Sequence, residues 1–240
     1  MILVLCDEAD VSALWAADAL RQRGLSPTVL TGLDLAWVRG WRHRVGAKGA
    51  DILLRFDTGQ LDGRSVRGVL NRLSYLPRAW LARIGGPDRD YAMQEMLAFY
   101  LSWLHSLGGP KLNPPAPQGL CGNLRHPSAW VALAVRAGLP ARPFRQGSAD
   151  DPVMTWQTPP DPRARTLFVV GAEVIGPPAL VTAHGPACRR LAEAAGCPLL
   201  GIDFAPDEAG QWRMVAASVA PELSRGGMEL ADALARALRP

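Results

Sequence analysis

The segment 196–221 limits the possible folds of this chain more than any other. Gly196-Cys-Pro-Leu-Leu-Gly-Ile-Asp203-Phe204 reads as a buried strand that ends near a carboxylate. Pro206-Asp-Glu-Ala-Gly210 is an acidic turn, and Trp212 to Val219 is a second strand. A turn this short makes the two strands antiparallel neighbours. A carboxylate at the exit of the first can hold a hard divalent cation against a phosphate.

The remainder alternates strand and helix signals. Residues 1–6 are apolar and β-rich, as in a parallel strand buried on both faces. Asp10 stands where a helix cap is needed, and Ala13, Leu14, Ala17 and Leu20 recur at helical spacing up to Gly24. Pro27 to Leu30 is the next strand, which completes a βαβ opening without any GxGxxG. Residues 50–57 read as a third strand, with Arg55 and Asp57 near the end where open α/β sheets place ligands. Asp88 or Asp90 is expected to cap a long helix running to about Leu107. Its apolar set is broad, so Glu95 within it is assigned an arginine partner, with Arg72 as the candidate. Further helices are expected at 128–137, closed by Gly138, at 186–195 and at 228–238. Residues 166–176 read as a tight hairpin, and 146–165, polar and proline-rich, as a loop.

Composition narrows the class. The 240 residues are 48% hydrophobic and 20% charged, ordinary values for a globular chain. No apolar run approaches the roughly 20 residues that span a bilayer. The N-terminus has no basic leader, so a cytoplasmic protein is expected. Cys6, Cys121, Cys188 and Cys197 form no CxxC pair, and the histidines show no ligand spacing. Cys121, in a loop, is the cysteine to check for reactivity. Of the 26 basic residues only Lys48 and Lys111 are lysines, and the net charge is +4. Codon usage explains the arginine excess; an arginine-lined phosphate or carboxylate surface is the functional alternative. Basic and aromatic residues interleave over 37–44, as nucleic-acid surfaces do, but one short patch is expected to be a solvated helix face.

Several pieces together resemble ATP-grasp ligases. Gly201-Ile202-Asp203-Phe204, with Trp212 and Pro221, is similar to the family's closing hairpin. Val169-Val170-Gly171-Ala172-Glu173 resembles its Val-Val-Gly-Gly hairpin, and Ala134 to Pro140 the helix and turn before its nucleotide lobe. Tyr91-Ala-Met-Gln-Glu95 and Lys111-Leu-Asn113-Pro114 are similar to ligases that modify ribosomal peptides or extend peptide tails. The resemblance implies an α/β chain in two parts. Residues 1–115 would form a pre-ATP-grasp βαβ unit, packed on a truncated ATP-grasp lobe at 116–240.

The departures are chemical. Asp203 matches a metal ligand, but Ala216 stands where the family has Glu and Ser218 where it has Asn. Pro127-Ser128 occupies the region of a phosphate-binding lysine. Between Pro143 and Thr166 there is no lysine and too little chain for a four-stranded nucleotide lobe. Phosphoryl transfer depends on cations placed around the phosphates, so these losses together imply abandoned chemistry. The expected protein is a pseudoenzyme that binds a peptide, a small molecule or a partner enzyme, with a homo- or hetero-oligomer open and with no cofactor and no membrane. Arg55, Asp57, Asn71, Arg72, Tyr91 and Glu95 are its candidate ligand contacts. The alternative is an active carboxylate–amine ligase that uses ATP and Mg, completed by a partner chain or by Arg125, Arg142, Arg145 and Arg165. A nucleic-acid module and an enzyme of unrelated chemistry are the remaining readings.

Overall fold

The computed structural model describes residues 1–47, 49–77, 79, 88–144 and 161–239. In chain order they form β1 (Ile2–Cys6), α1 (Val11–Gln22), β2 (Pro27–Thr31), α2 (Gly32–Ala36), β3 (Gly40–Gly46), β4 (Gly49–Phe56) and β5 (Gly59–Asp62). β6 (Gly68–Asn71), α3 (Arg89–Ser106), β7 (Lys111–Leu112) and α4 (Pro127–Arg136) follow. Then come β8 (Arg165–Val170), β9 (Glu173–Ile175), α5 (Pro178–Ala195), β10 (Leu199–Pro206), β11 (Trp212–Ser218) and α6 (Gly227–Leu238). Two compact units result, Met1–Asn123 with Glu222–Pro240, and Leu124–Pro221.

In the first unit β1 is buried along its whole length and pairs in parallel with β2 on one side and β6 on the other. β7 extends this sheet as the neighbour of β6. A strand with no polar face needs a cover on both sides. α1 and α6 pack together, and α6 also meets β6. On the other side Leu3, Leu5 and Val69 share one core with Ile52, Leu54, Tyr100, Trp103 and Leu104. Arg23 holds α6 to the end of α1, with its Nε 2.6 Å from Asp232 and Nη2 donating to the Met228 carbonyl at 3.0 Å. The C-terminal helix therefore belongs to the first unit, whereas the sequence reading grouped it with 116–240. Its leucines at 230, 234 and 238 are fully buried there.

Two further expectations change. Residues 37–44 are not a helix face, because β3 runs through them and pairs antiparallel with β4, which pairs with β5. Trp41 packs inward, 5.0 Å from Trp103 and 5.1 Å from Phe99 between ring centroids, while Arg42 and Arg44 face outward. That is a period of two, the spacing of a strand. For the same reason residues 50–57 are not a third parallel strand. The connection to β5 is a tight turn, and parallel strands need a long crossover.

The second unit is one antiparallel sheet, in the order β11-β10-β8-β9, with α5 against β8, β9 and β10. α5 starts eight residues before the expected 186, with Pro178 in its first turn and Pro186 inside it. A proline there removes one helix hydrogen bond. Leu180, Ala187, Cys188 and Leu191 lie buried on both sides of it, so the helix runs through. α4 ends as expected at Gly138, with φ of 80°, and Arg190 donates to the Ala137 carbonyl at 2.8 and 3.1 Å. The loop expected over 146–165 lies outside the described residues up to 160, and Arg165 already belongs to β8.

Gly24 and Gly109 have nearly the same backbone, φ of 75° and 76°, but differ in space. A Cβ on Gly24 meets nothing within 4 Å, whereas one on Gly109 overlaps the Arg67 carbonyl. Gly24→Ala should then cost only the left-handed strain of about 1–2 kcal/mol. Gly109→Ala should lose about 1–3 kcal/mol more, the range of forced overpacking. Urea unfolding of the two variants checks the difference.

Candidate functional site

In the parallel sheet β2 lies on one side of β1 and β6 on the other. Strand order reverses between β1 and β6, and open sheets place a ligand crevice beyond the carboxyl ends at such a point. Asn71 and Arg72 stand there, 1% and 5% exposed. The Asn71 amide donates to the carbonyls of Asn113 at 2.9 Å and Leu120 at 2.6 Å, and its Oδ1 accepts from the Leu73 amide at 3.3 Å. It ties the backbone of Leu73, Asn113 and Leu120 together at the end of β6.

Arg72 grips Asp10 with two bonds, Nε to Oδ2 at 2.7 Å and Nη2 to Oδ1 at 3.1 Å. The same Asp10 caps α1, accepting from the Ala13 amide at 3.0 Å. One carboxylate thus ties the start of a helix to the end of a strand. Nearby, burial, with Asp10 and Asp7 adding to it, pushes the Cys6 thiol from 9.0 to about 12. Burial also pushes Cys121 up; its Sγ is 3.8 Å from the Ser74 hydroxyl. Thiols held neutral are poor nucleophiles, so Cys121 is a core residue.

The other expected contacts are not gathered here. Glu95 is exposed, with no hydrogen bond or ion pair among the described residues, so its expected pairing with Arg72 is replaced by Asp10–Arg72. The physical reason is helix rotation, since Glu95 falls on the outer flank of α3 while Tyr100, Trp103 and Leu104 take the inner one. Tyr91, also on α3, is 67% exposed. Arg55 and Asp57 belong to the antiparallel sheet. Asp57 pairs in the open with Arg39 at 2.7 Å, and that guanidinium holds its carboxyl below the usual range.

In the second unit β10 and β11 form the hairpin anticipated from the sequence, with a bulge after Asp203. Gly201 is needed because a side chain would strike Pro221, so these two residues of the frame serve packing. Asp203 accepts from the Thr166 hydroxyl at 2.6 Å, and across the ladder it faces Ala216. Ser218 stands opposite Gly201, and its Oγ accepts from the Ala220 amide at 3.2 Å. The acidic turn closes on itself. Asp207 accepts from the Ala209 and Gln211 amides at 3.0 and 2.9 Å, and Arg213 holds its carboxyl low.

Among the described residues this face offers a magnesium–nucleotide group a single carboxylate, Asp203. Mg²⁺ needs near-octahedral oxygen ligands and is bound through carboxylates and substrate phosphates. Here the sheet supplies one carboxylate, already hydrogen-bonded, beside a methyl group. Among the described residues no cluster of three or more His, Cys, Asp or Glu could hold a metal.

The Asp10–Arg72 pair gives a test of the first-unit crevice. Arg72→Met and Asp10→Ala should each cost about 3–5 kcal/mol, because each removes one partner of a largely buried ion pair. The double variant should cost clearly less than their sum, measured by a double-mutant cycle in urea. Glu95→Gln should stay within about 0.5 kcal/mol of the parent, as at other exposed sites.

No family model and no curated protein matches the sequence. Solved structures do. Macrocyclase MdnC from Microcystis aeruginosa MRC, bound with precursor peptide MdnA, matches with a TM-score of 0.69 at 12% identity, over 97% of each chain. A Chryseobacterium gregarium RiPP-associated ATP-grasp ligase, in complex with ADP and a leader and core peptide, gives 0.65 at 10%, over 97% of this chain and 95% of that one. ATP-grasp ligase PsnB complexed with minimal precursor gives 0.64 at 15%, over 99% and 97%.

Proposed function

We propose that this chain, whose fold is that of the ATP-grasp superfamily, binds a peptide in a peptide-modification pathway and has given up nucleotide-driven ligation. The peptide half rests on the similar structures, which are peptide-modifying ligases held with precursor or leader and core peptides. The loss of chemistry rests on one observation, that Asp203 bonds Thr166 and faces Ala216 where the resemblance to the family would place a second carboxylate. The absence of phosphate lysines supports it. Of two lysines in the chain, Lys111 lies on β7 in the first unit, where burial pulls its ammonium below the usual range. Phosphates carried to the Asp203 face would meet little positive charge and one engaged carboxylate.

A ligase site completed by a partner chain or by Arg125, Arg142, Arg145 and Arg165 in place of the lysines is the second reading; Arg145 lies outside the described residues. Calorimetric titration of the isolated chain with Mg–ATP separates the two. The expected outcome is no binding in the micromolar range, which would be about −8 kcal/mol, and no difference between the parent and Asp203→Ala. Micromolar binding abolished by Asp203→Ala would overturn the proposal. Binding that appears only with a modified-peptide pathway partner present would establish the shared site.

A further inference from the structure

A pocket of about 390 Å³ opens in the first unit, away from the crevice at the β1 and β6 ends. Its floor is apolar, from Ala50 and Ile52 on β4 and from Val66. Gly63, Gly108 and Gly109 let the walls close on one another, for a Cβ on Gly63 would lie 2.7 Å from the Ile52 Cβ and one on Gly108 3.1 Å from the Val66 carbonyl. Arg64, Arg67 and Ser106 complete the rim.

The charges at this rim are not balanced. Arg64 reaches Asp51 Oδ1 at 3.2 Å and Arg42 reaches Oδ2 at 3.0 Å, so one carboxylate serves two guanidinium groups. The Arg67 side chain is exposed and has no hydrogen bond or ion pair among the described residues. Residues 37–67 carry Arg39, Arg42, Arg44, Lys48, Arg55, Arg64 and Arg67 against Asp51, Asp57 and Asp62, a surplus of +4 that equals the net charge of the whole chain. Of these basic residues Arg64 and Arg67 line the pocket.

We infer that this pocket binds a carboxylate carried on a short aliphatic stem. A guanidinium meets a carboxylate with two parallel N–H donors, and Arg67 has its donors to give, with Arg64 beside it. The stem would lie on Ala50, Ile52 and Val66, where burial of apolar surface adds to binding. A phosphate fits less well. It brings no apolar stem to lie on Ala50, Ile52 and Val66. The stem and carboxylate are those of a free short-chain acid or of a glutamate side chain. The inference uses no residue of the Asp203 face, so it stands or falls apart from the nucleotide reading.

The test is amide chemical-shift perturbation on the full chain with hexanoate, 1-hexanol, hexylammonium and inorganic phosphate. Hexanoate should shift the amides of 50–52, 63–67 and 106–109, with a Kd of about 1 mM, as expected for so small a ligand. Hexanol, hexylammonium and phosphate should bind at least about tenfold more weakly. Arg67→Gln, at an exposed residue, should weaken hexanoate about tenfold, and Ala50→Leu, which fills the floor, should remove binding. Arg89→Gln, on the far end of α3, should leave it unchanged. An end-blocked peptide with one glutamate, compared with hexanoate, tells which source of the group binds better. Equal binding of hexanol or phosphate, no binding of hexanoate, or no effect of Arg67→Gln would overturn the inference.

Discussion

The burial of β1 on both faces is the constraint that the first unit is built to satisfy. Ile2 to Cys6 expose almost nothing, and a parallel strand satisfies its backbone only through neighbours on each edge. β2 and β6 provide those edges, and α1 with α6 provides one cover. The other cover is less regular. α3 and the β3-β4-β5 sheet meet β1 through Trp103, Tyr100 and Leu54. Because β1 is central, its carboxyl end is where polar residues become enclosed. There Asp10 answers Arg72, and Asn71 holds the backbone of Asn113 and Leu120. Each of these polar groups is buried by the apolar packing around it and is paired for that reason.

The second unit separates frame from chemistry. The frame persists where packing requires it. Gly201 yields to Pro221, Gly171 turns β8 into β9 with φ of 58°, and Gly196 ends α5 with φ of 67°. The same hairpin sets Asp203 opposite Ala216, and the Asp203 carboxylate accepts from the Thr166 hydroxyl. Packing residues answer to the stability of the fold, and metal ligands answer only to the reaction. A chain can lose the second kind without losing the first.

The strands and helices with a strong period were legible in the sequence. β1, α1, β2, the β8–β9 and β10–β11 hairpins and the caps at Asp10 and Gly138 carry local signals that tertiary packing did not alter. β3 was less legible, because arginines alternating with tryptophan and histidine read equally as a charged helix face. Only the aromatic cluster under Trp41 selects the strand. The long α5 was hidden by Pro186, which ends a helix unless both flanks are held.

The candidate site shows the same division. That Asn71 and Arg72 stand at a strand end could be inferred from their place after an apolar run, and the missing ligands opposite Asp203 from the residue types alone. The partner of Arg72 could not, since Asp10 and Glu95 are both acidic residues near helix starts and nothing local distinguishes them. By itself the sequence determined most of the strands, though not β3, and which positions can bear charge, because those follow from residue type and period. Only the tertiary structure decided that Arg72 takes Asp10, that α6 returns to the first unit and that Arg64 and Arg67 line one pocket with Ala50, Ile52 and Val66. Such pairings depend on which surfaces must be buried together, and residues far apart in the chain settle that jointly.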